Sequence, residues 1–527
     1  MKITFVTPTP PDVAAFGVRS LSAYLKRAGY QVRNLFLPGG VKKYKYQKGY
    51  KYGYEKNILD KIIELCKESD LIGISFMTNY YDRALQLTET IKSCLGIPVL
   101  WGGIHPTVTP EQSLQHCDMV CLGEGEEAIL ELLEKMKYGH NIFDTRNIWF
   151  NKNGDIIKNS LRPLIQDLDS LPFYDFGMED HFIFDHLKKE IAPMSKELLK
   201  KCFPLEPNVE GSFNDSYKRS ISYKTMGSRG CPHRCTYCAE RTLALLYPGE
   251  RYFRRRSVSH IIDELTDVKK NLPFIESIFL FDDAFTARSL TEIKEFSKAY
   301  RDAISLPFHI QVSPLTITKD KMEALIDGGL AFAEMGIQSV SNRGMDVYKR
   351  KVSKETILEK ASIINKFVGK IHVPCYHLIL DNPWEQIEDN IETLNLVLQF
   401  PPPFWLKRSS LVCFPGTELY NRAKEDGIIE TSDDEQREIY NKHLHMPKAT
   451  YMNFLFYLTG FSYFPRSIIK FFTKKQMLNF FGQTCFSKVF RLAYRMIEFS
   501  IFFSKGVRAF FTGDFHRIYR FVKHWYP

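Results

Sequence analysis

Two stretches of this chain, 1–136 and 221–430, alternate short β-branched or aromatic runs with amphipathic segments of helical period, and that alternation limits the fold most tightly. Strands joined by helical crossovers lie parallel, so each stretch predicts a sheet with helices packed on it, an α/β architecture. In the first, Ile3–Val6, Leu71–Phe76, Pro98–Trp101 and Met119–Leu122 read as strands, with helices over Val18–Gly29, Tyr81–Leu95 and from Gly123-Glu124-Gly125-Glu126 to Met136. In a doubly wound sheet of this kind ligands lie beyond the carboxyl ends of the strands. Thr7–Pro11, Ser75–Asn79 with Thr78, Gly102-Gly103 with His105, and Gly123-Glu124-Gly125 all fall there. The glycines admit close approach of a bulky ligand to the backbone.

The second stretch has a longer pitch, as in a (β/α) barrel or part of one, whose active groups gather at the carboxyl ends of the strands. Its expected strands are Ser222–Met226, Ser277–Phe281, Phe308–Val312, Phe332–Ile337, Val373–Leu380 and Leu406–Phe414. Residues 137–220 read as a connector, with a hairpin arm near Asp155–Asn159, a strap over Leu164–Phe176 and a polar, Pro-containing stretch from Lys189 to Ser216. A chain of 527 residues, 44% hydrophobic, has room for these domains and their cores. Met1–Pro8 lacks the pattern of a signal peptide and reads as a first strand, and no run of 18 uncharged apolar residues occurs, so the expectation is a cytoplasmic protein without a membrane span.

The loop after the first barrel strand reads GCPHRCTYCA from Gly230 to Ala239, placing Cys231, Cys235 and Cys238 within eight residues. With 11 Cys in the chain, chance supplies only about 0.005 such patterns. Three thiolates without a nearby fourth leave one iron of an iron–sulfur cube open, and the soft donor set favours iron or zinc over magnesium or calcium. The competing reading is a zinc knuckle that adds His233. The other cysteines, at 66, 94, 117, 121, 202, 375, 413 and 485, are scattered and read as reduced, buried side chains.

The cysteine spacing, with Tyr237 before the last thiol, resembles the radical S-adenosylmethionine (SAM) superfamily. The run from Gly102 to Thr107 and the following Gly123-Glu124-Gly125-Glu126 make the first half similar to the Rossmann-like cobalamin (B12)-binding domain of one subclass. The resemblance implies a 4Fe-4S cluster on Cys231, Cys235 and Cys238, whose open iron chelates SAM and whose electron releases a 5′-deoxyadenosyl radical. It implies domains at 1–136 (cobalamin), 221–430 (radical SAM, partial TIM-type barrel) and 431–527 (helical extension), joined by 137–220. It places Asp282 and Asp283 beside the methionyl ammonium, Gln338 and Ser339 at the ribose, and Arg254 and Arg256 at the SAM carboxylate or a cobalamin side chain. Adjacent acids also commonly cap a turn, and a run of arginines is commonly a solvated surface. The family's Asp-x-His-x-x-Gly pattern reads Asp12-Val-Ala14-Ala-Phe-Gly17 here, so no histidine of that loop is expected on cobalt. His105 is expected to hydrogen-bond rather than ligate. Asp381 and Trp384 are weaker pocket candidates, and no general acid or base stands out.

All of the net charge of +10 lies in residues 451–527, where 12 Lys/Arg face only Glu498 and Asp514, together with 24 of the 73 aromatics. Phe486, Val489, Phe490, Ala493, Met496 and Ile497 form an apolar stripe at helical spacing, opposite Lys488, Arg491, Arg495 and Glu498. Such a helix packs on the barrel, rests peripherally on an anionic membrane, or walls a lipid-like substrate's pocket. Nucleic acid is not expected, since no binding module accompanies the charge. The reading is a cobalamin-dependent radical SAM enzyme, a methyltransferase acting on an unactivated carbon of a small-molecule or lipid-like substrate, served by a flavodoxin- or ferredoxin-type reductant. A non-methylating cyclisation or rearrangement, and a cobalamin or redox sensor, remain as alternatives.

Overall fold

The computed structural model describes residues 1–8, 15–38, 52–207, 219–429, 447–461, 464–482 and 486–511. Residues 9–14, which include the end of the expected Thr7–Pro11 loop and Asp12 to Ala14, Cys485, and residues 208–216 of the polar stretch lie outside these residues.

The first sheet has nine strands: β1 Lys2–Thr7, β2 Gln31–Phe36, β3 Leu71–Ser75, β4 Val99–Gly102, β5 Met119–Cys121, β6 Ile148–Lys152, β7 Asp155–Ile157, β8 Phe182–Asp185 and β9 Glu190–Pro193. Their order is β7-β6-β5-β4-β3-β1-β2-β8-β9. The expected strands β1, β3, β4 and β5 pair in parallel, and β2, a strand the sequence pattern did not mark, adds a further parallel pairing on the other side of β1. The strand order turns at β1, where the chain runs outward in both directions, which is the switch point at which such sheets bind ligands. The stretch expected as a connector is not free of the sheet: hairpin β6–β7 extends one edge and β8–β9 the other. Two apolar layers, one around Trp101, Ile72 and Leu87 and one around Phe5, Leu132 and Phe150, cover its faces.

The second sheet runs β10-β11-β14-β15-β16-β17-β18, from β10 Leu205–Pro207 and β11 Arg219–Thr225, past a small separate ribbon of β12 Ser228–Arg229 and β13 Arg254–Arg255, to β14 Ser277–Leu280, β15 Phe308–Val312, β16 Leu330–Gln338, β17 Cys375–Leu380 and β18 Trp405–Ser410. From β11 to β18 every neighbour is parallel and sequential, and β18 does not return to β11, so the sheet is an open half-barrel. Side-chain alternation sends Ile278, Leu280, Ile310, Met335, Tyr376 and Leu378 into one large core with the surrounding helices. Their alternates line the lumen.

The C-terminal region is helical and docks on the far edge of the barrel. Phe490 is buried against Tyr451 and Phe454, and Tyr494 lies against Tyr457. Only part of the expected stripe is covered, because Val489 and Met496 are 55% and 62% exposed. The helix Ser487–Phe511 is apolar around more of its circumference than one neighbouring helix can cover, so its packing face narrows to Phe486, Phe490 and Tyr494. Among the other cysteines, Cys66, Cys117, Cys121 and Cys375 are buried as expected, whereas Cys94 is exposed on the outer end of a helix.

Candidate functional site

The cysteine loop is fixed from both ends. Gly230 has φ +80°, and a Cβ there would lie 2.6 Å from the Tyr252 carbonyl, so only glycine fits before Cys231. Upstream, Asp282 is fully buried; it accepts the Gly227 N–H at 2.9 Å and the Ser228 hydroxyl, while Arg288 donates to the Gly227 carbonyl at 2.8 Å. Downstream, the Thr236 hydroxyl donates to the Val347 carbonyl at 2.6 Å, and Leu419 N–H to the Thr236 carbonyl at 3.0 Å. Beneath the loop, Glu264 accepts from Tyr223 and Thr225 and pairs with Arg256. A loop held at this many points keeps its three thiols placed before any cluster binds.

Among the described residues only Glu334, Cys375 and His377 bring three ligand atoms within 4.8 Å of one another, so the three loop thiols stand wider apart than one ion's ligand set. That spread disfavours the zinc knuckle and fits thiolates that each hold a different iron of a cluster. Burial pushes Cys231 and Cys238 up to about 12 as free thiols, and a cluster that binds thiolate releases those protons. Arg350, which carries no sequence signal, reaches the same place. Its Nη1 lies 4.0 Å from Cys235 Sγ and 3.5 Å from the Tyr237 hydroxyl, while Nη2 donates to the Gly336 carbonyl at 2.7 Å. Tyr237 is packed edge-on against Tyr348, at 5.1 Å.

The paired acids divide. Asp282 holds the loop, whereas Asp283 beside it is exposed, and partial loss of hydration and then Glu240 and Asp282 push its carboxyl up to about 7. Glu240, just after Cys238, is also raised by burial and accepts from Tyr252 at 2.9 Å. Gln338 ends β16 in a left-handed conformation, φ +72°, and Ser339 beside it gives its hydroxyl to Glu385. The first acid and the serine therefore hold the frame, and Asp283 and Gln338 remain at the mouth.

The arginines expected at SAM or cobalamin are committed elsewhere. Arg254, 2% exposed, donates to both carboxylate oxygens of Glu124, at 2.9 and 3.0 Å, to the Ile165 carbonyl at 2.7 Å and to the Tyr252 carbonyl at 3.1 Å. Arg229 adds bonds to Glu124, Glu126 and Ser20. Arg256 is paired with Glu264 and donates to His260 Nδ1 at 2.8 Å. Glu124 and Arg254, read separately as ligand contacts, are thus one ion pair joining the first sheet to the barrel. The surface-run alternative fails too, since Arg254 and Arg256 are both buried.

The seam brings the strand ends of the first sheet over the barrel mouth. Gly103 has φ +97° and a Cβ would lie 2.7 Å from the Phe76 carbonyl oxygen, 3.0 Å from the Phe76 nitrogen and 3.2 Å from Ser75 Oγ; Gly102 has nothing closer than 4.0 Å. Tyr247, from the helical segment after the cysteine loop, occupies the space a Gly123 side chain would need, and Gly125 packs under Leu21 and Ile129. Val108 rests on Gly416 of the Pro-Gly turn after β18. His105 is 3% exposed, its nitrogens 3.1 Å from Thr78 and 3.2 Å from Thr109 hydroxyls, and burial lowers it to about 3. It is neutral, and both ring nitrogens are taken by threonine hydroxyls of the protein. Asp381, a weaker pocket candidate, accepts from Ser410, Asn453 and the Lys448 N–H and so anchors the C-terminal helices; Trp384 donates to Asp426.

Comparison with known proteins agrees with this geometry. The B12 binding domain model matches residues 4–133 and the Radical SAM superfamily model residues 226–396. An uncharacterized methyltransferase of Pyrococcus horikoshii, PH0819, is 24% identical over 69% of this chain and 71% of its own length. The bacteriochlorophyllide d C-8(2)-methyltransferase of Chlorobaculum tepidum is 23% identical over 73% and 75%. In fold the chain is similar to the radical SAM methyltransferase TsrM of Kitasatospora setae, solved with cobalamin and a [4Fe-4S] cluster (TM-score 0.61, 14% identity, 82% of this chain and 79% of that one). It is also similar to the cobalamin-dependent SAM radical enzyme OxsB (TM-score 0.56, 16% identity, 83% and 56%). A thiol loop at the mouth of a parallel half-barrel, capped by the strand ends of a second matched domain, makes this chain a radical SAM superfamily protein with a cobalamin (B12)-binding domain.

Proposed function

We propose that this protein is a cobalamin-dependent radical SAM methyltransferase that methylates an unactivated carbon of a small-molecule or lipid-like substrate. The observation that carries the reading is the seam: Glu124 and Glu126, on the loop and helix after β5, are ion-paired to Arg254 and Arg229, which flank the cysteine loop. The cradle of one cofactor and the ligands of the other are thereby held over one mouth. When bound, the cluster with SAM supplies a carbon radical that removes substrate hydrogen, and cobalamin supplies the methyl group.

The chain's own residues orient and exclude. Cys231, Cys235 and Cys238 would hold the cluster, Gly102, with open space where a side chain would stand, would let the corrin approach the backbone, and Asp283 would accept the methionyl ammonium once ionised. Arg350 places positive charge beside the Cys235 thiolate and the electron-rich cluster. Anaerobic reconstitution with iron, sulfide, hydroxocobalamin, SAM and a strong reductant should yield 5′-deoxyadenosine and S-adenosylhomocysteine. Cys235→Ala should lose the deoxyadenosine. A protein that binds both cofactors yet forms neither product with any substrate supplied favours the sensor reading instead.

A cytoplasmic protein in peripheral contact with a membrane, reduced by a flavodoxin or ferredoxin, completes the proposal. Among the described residues no helix is long and apolar enough to cross a bilayer. The helix Ser487–Phe511 nonetheless exposes Val489, Leu492, Met496, Phe499, Phe503 and Phe511 at three- to eight-residue steps, beside exposed Lys488, Arg491 and Arg495. Such a face suits the interface of an anionic bilayer. Co-sedimentation with phosphatidylglycerol-containing vesicles, weakened by salt and by Phe499→Glu, is expected. Equal partition to the supernatant with and without vesicles would remove this part of the proposal.

A further inference from the structure

The half-barrel lumen carries a group of side chains that neither the cysteine loop nor the seam uses. Residues 333, 335, 376 and 378 point outward into the helix-packed core, so their neighbours Glu334 and His377, with Cys375, point inward. Register puts Glu334 directly opposite Cys375, and His377 two residues further along on the same face, opposite Gly336. The three are therefore set by adjacent parallel strands of the sheet rather than by a loop. Their ligand atoms all lie within 4.8 Å of one another, and Nε2 of His377 is 3.4 Å from Oε2 of Glu334, long for a charge-assisted hydrogen bond. Cys375 is 5% exposed, while Glu334 and His377 keep 15% and 23% of their side-chain surface, so the group is closed behind and open toward the lumen.

We propose that Glu334, Cys375 and His377 bind a divalent cation of the zinc class in the barrel lumen, separate from the iron–sulfur loop. One sulfur, one imidazole nitrogen and one carboxylate oxygen suit zinc better than magnesium or calcium. Binding expels the Cys375 proton to solvent, and the thiolate and carboxylate together offset the two positive charges of the ion, beside Lys407, which stands opposite His377 on the neighbouring strand. Three protein ligands leave the fourth tetrahedral position free, and the open side of the group directs it into the lumen. There it would take an oxygen, nitrogen or sulfur donor of the substrate and fix the end remote from the reacting carbon. This last role rests on the barrel being the substrate chamber of the proposed methyltransferase; the metal site itself does not.

The test reads metal rather than turnover. Holoenzyme with cluster and cobalamin is equilibrated anaerobically with zinc chloride, desalted, and assayed for zinc, iron and cobalt by mass spectrometry. About one zinc per chain is expected. It should persist in Cys231→Ala/Cys235→Ala/Cys238→Ala, which loses iron, and fall to background in Cys375→Ser and His377→Gln, which keep iron and cobalt. Zinc-edge absorption of the wild type should show one sulfur among nitrogen and oxygen neighbours, a readout that stands even if a variant folds poorly. No retained zinc overturns the proposal, as does zinc with three sulfurs that leaves with the loop cysteines. A zinc-binding protein that never transfers methyl would keep the site and refute only the substrate role.

Discussion

The seam and the lumen are both rich in charge, and they differ in who holds that charge. At the seam Arg254 and Arg229 meet Glu124 and Glu126 with short, repeated bonds, and the groups are largely removed from water. In the lumen Glu334, Cys375 and His377 stand near one another with one long polar contact and an open side. A charge whose donors and acceptors are consumed within the protein fixes architecture. A charge left with spare valence toward a cavity is available to a ligand.

The largest effect should come from breaking the seam. Arg229→Met strands Glu126, which is 4% exposed, and should cost about 3–5 kcal/mol in denaturant unfolding, whereas His377→Gln in the lumen should cost about 1 kcal/mol or less. A lumen variant as damaging as the seam variant would erase the contrast. The seam also has a pH signature. Despite burial, Arg229 holds the Glu126 carboxyl below its ordinary value, so the pair's stabilisation is complete above the usual glutamate range and is lost as pH falls through the lowered value. The difference between wild type and Arg229→Met should shrink in acid, read by unfolding at several pH values.

Next in size is Gly103→Ala. A Cβ at φ +97°, 2.7 Å from a carbonyl oxygen, should cost about 2 kcal/mol and abolish cobalamin retention while leaving the iron content unchanged. Retained cobalamin would show that the packing of Gly103 on Phe76 does not shape the corrin's cradle.

The smallest effect is at Asp283. Its carboxyl is raised to about 7, so it is neutral below that pH and a poor partner for an ammonium. SAM affinity, measured by equilibrium dialysis with the loaded cluster, should rise up to about tenfold per unit as pH approaches 7 and then level off. Asp283→Asn should flatten the profile. An unchanged slope would assign the proton to another group.

The cysteine loop was legible because its three thiols lie within eight residues, and spacing alone reports so local a group. The strands were legible for a similar reason, since alternation and apolar runs report burial directly. The arginines were not. Arg254 pairs with a glutamate 130 positions earlier, and a run of three arginines has the same composition whether it meets a carboxylate of the protein or of a ligand. Asp282 and Asp283 show the limit at single-residue scale. One step along the chain after β14 turns one acid inward to Gly227 and Ser228 and leaves the next exposed.

What the sequence by itself determined is the alternation that makes two parallel sheets, the three-thiol loop between a strand and a helix, and the basic aromatic tail, because each depends on near neighbours. Tertiary structure alone decided that the expected connector completes the first sheet, that Glu124 clamps the barrel, that Arg350 reaches Cys235, that Glu334, Cys375 and His377 converge, and that Val489 and Met496 of the tail's apolar stripe stay exposed. Those outcomes depend on sheet register and domain docking, which bring together groups whose separation along the chain carries no local signal.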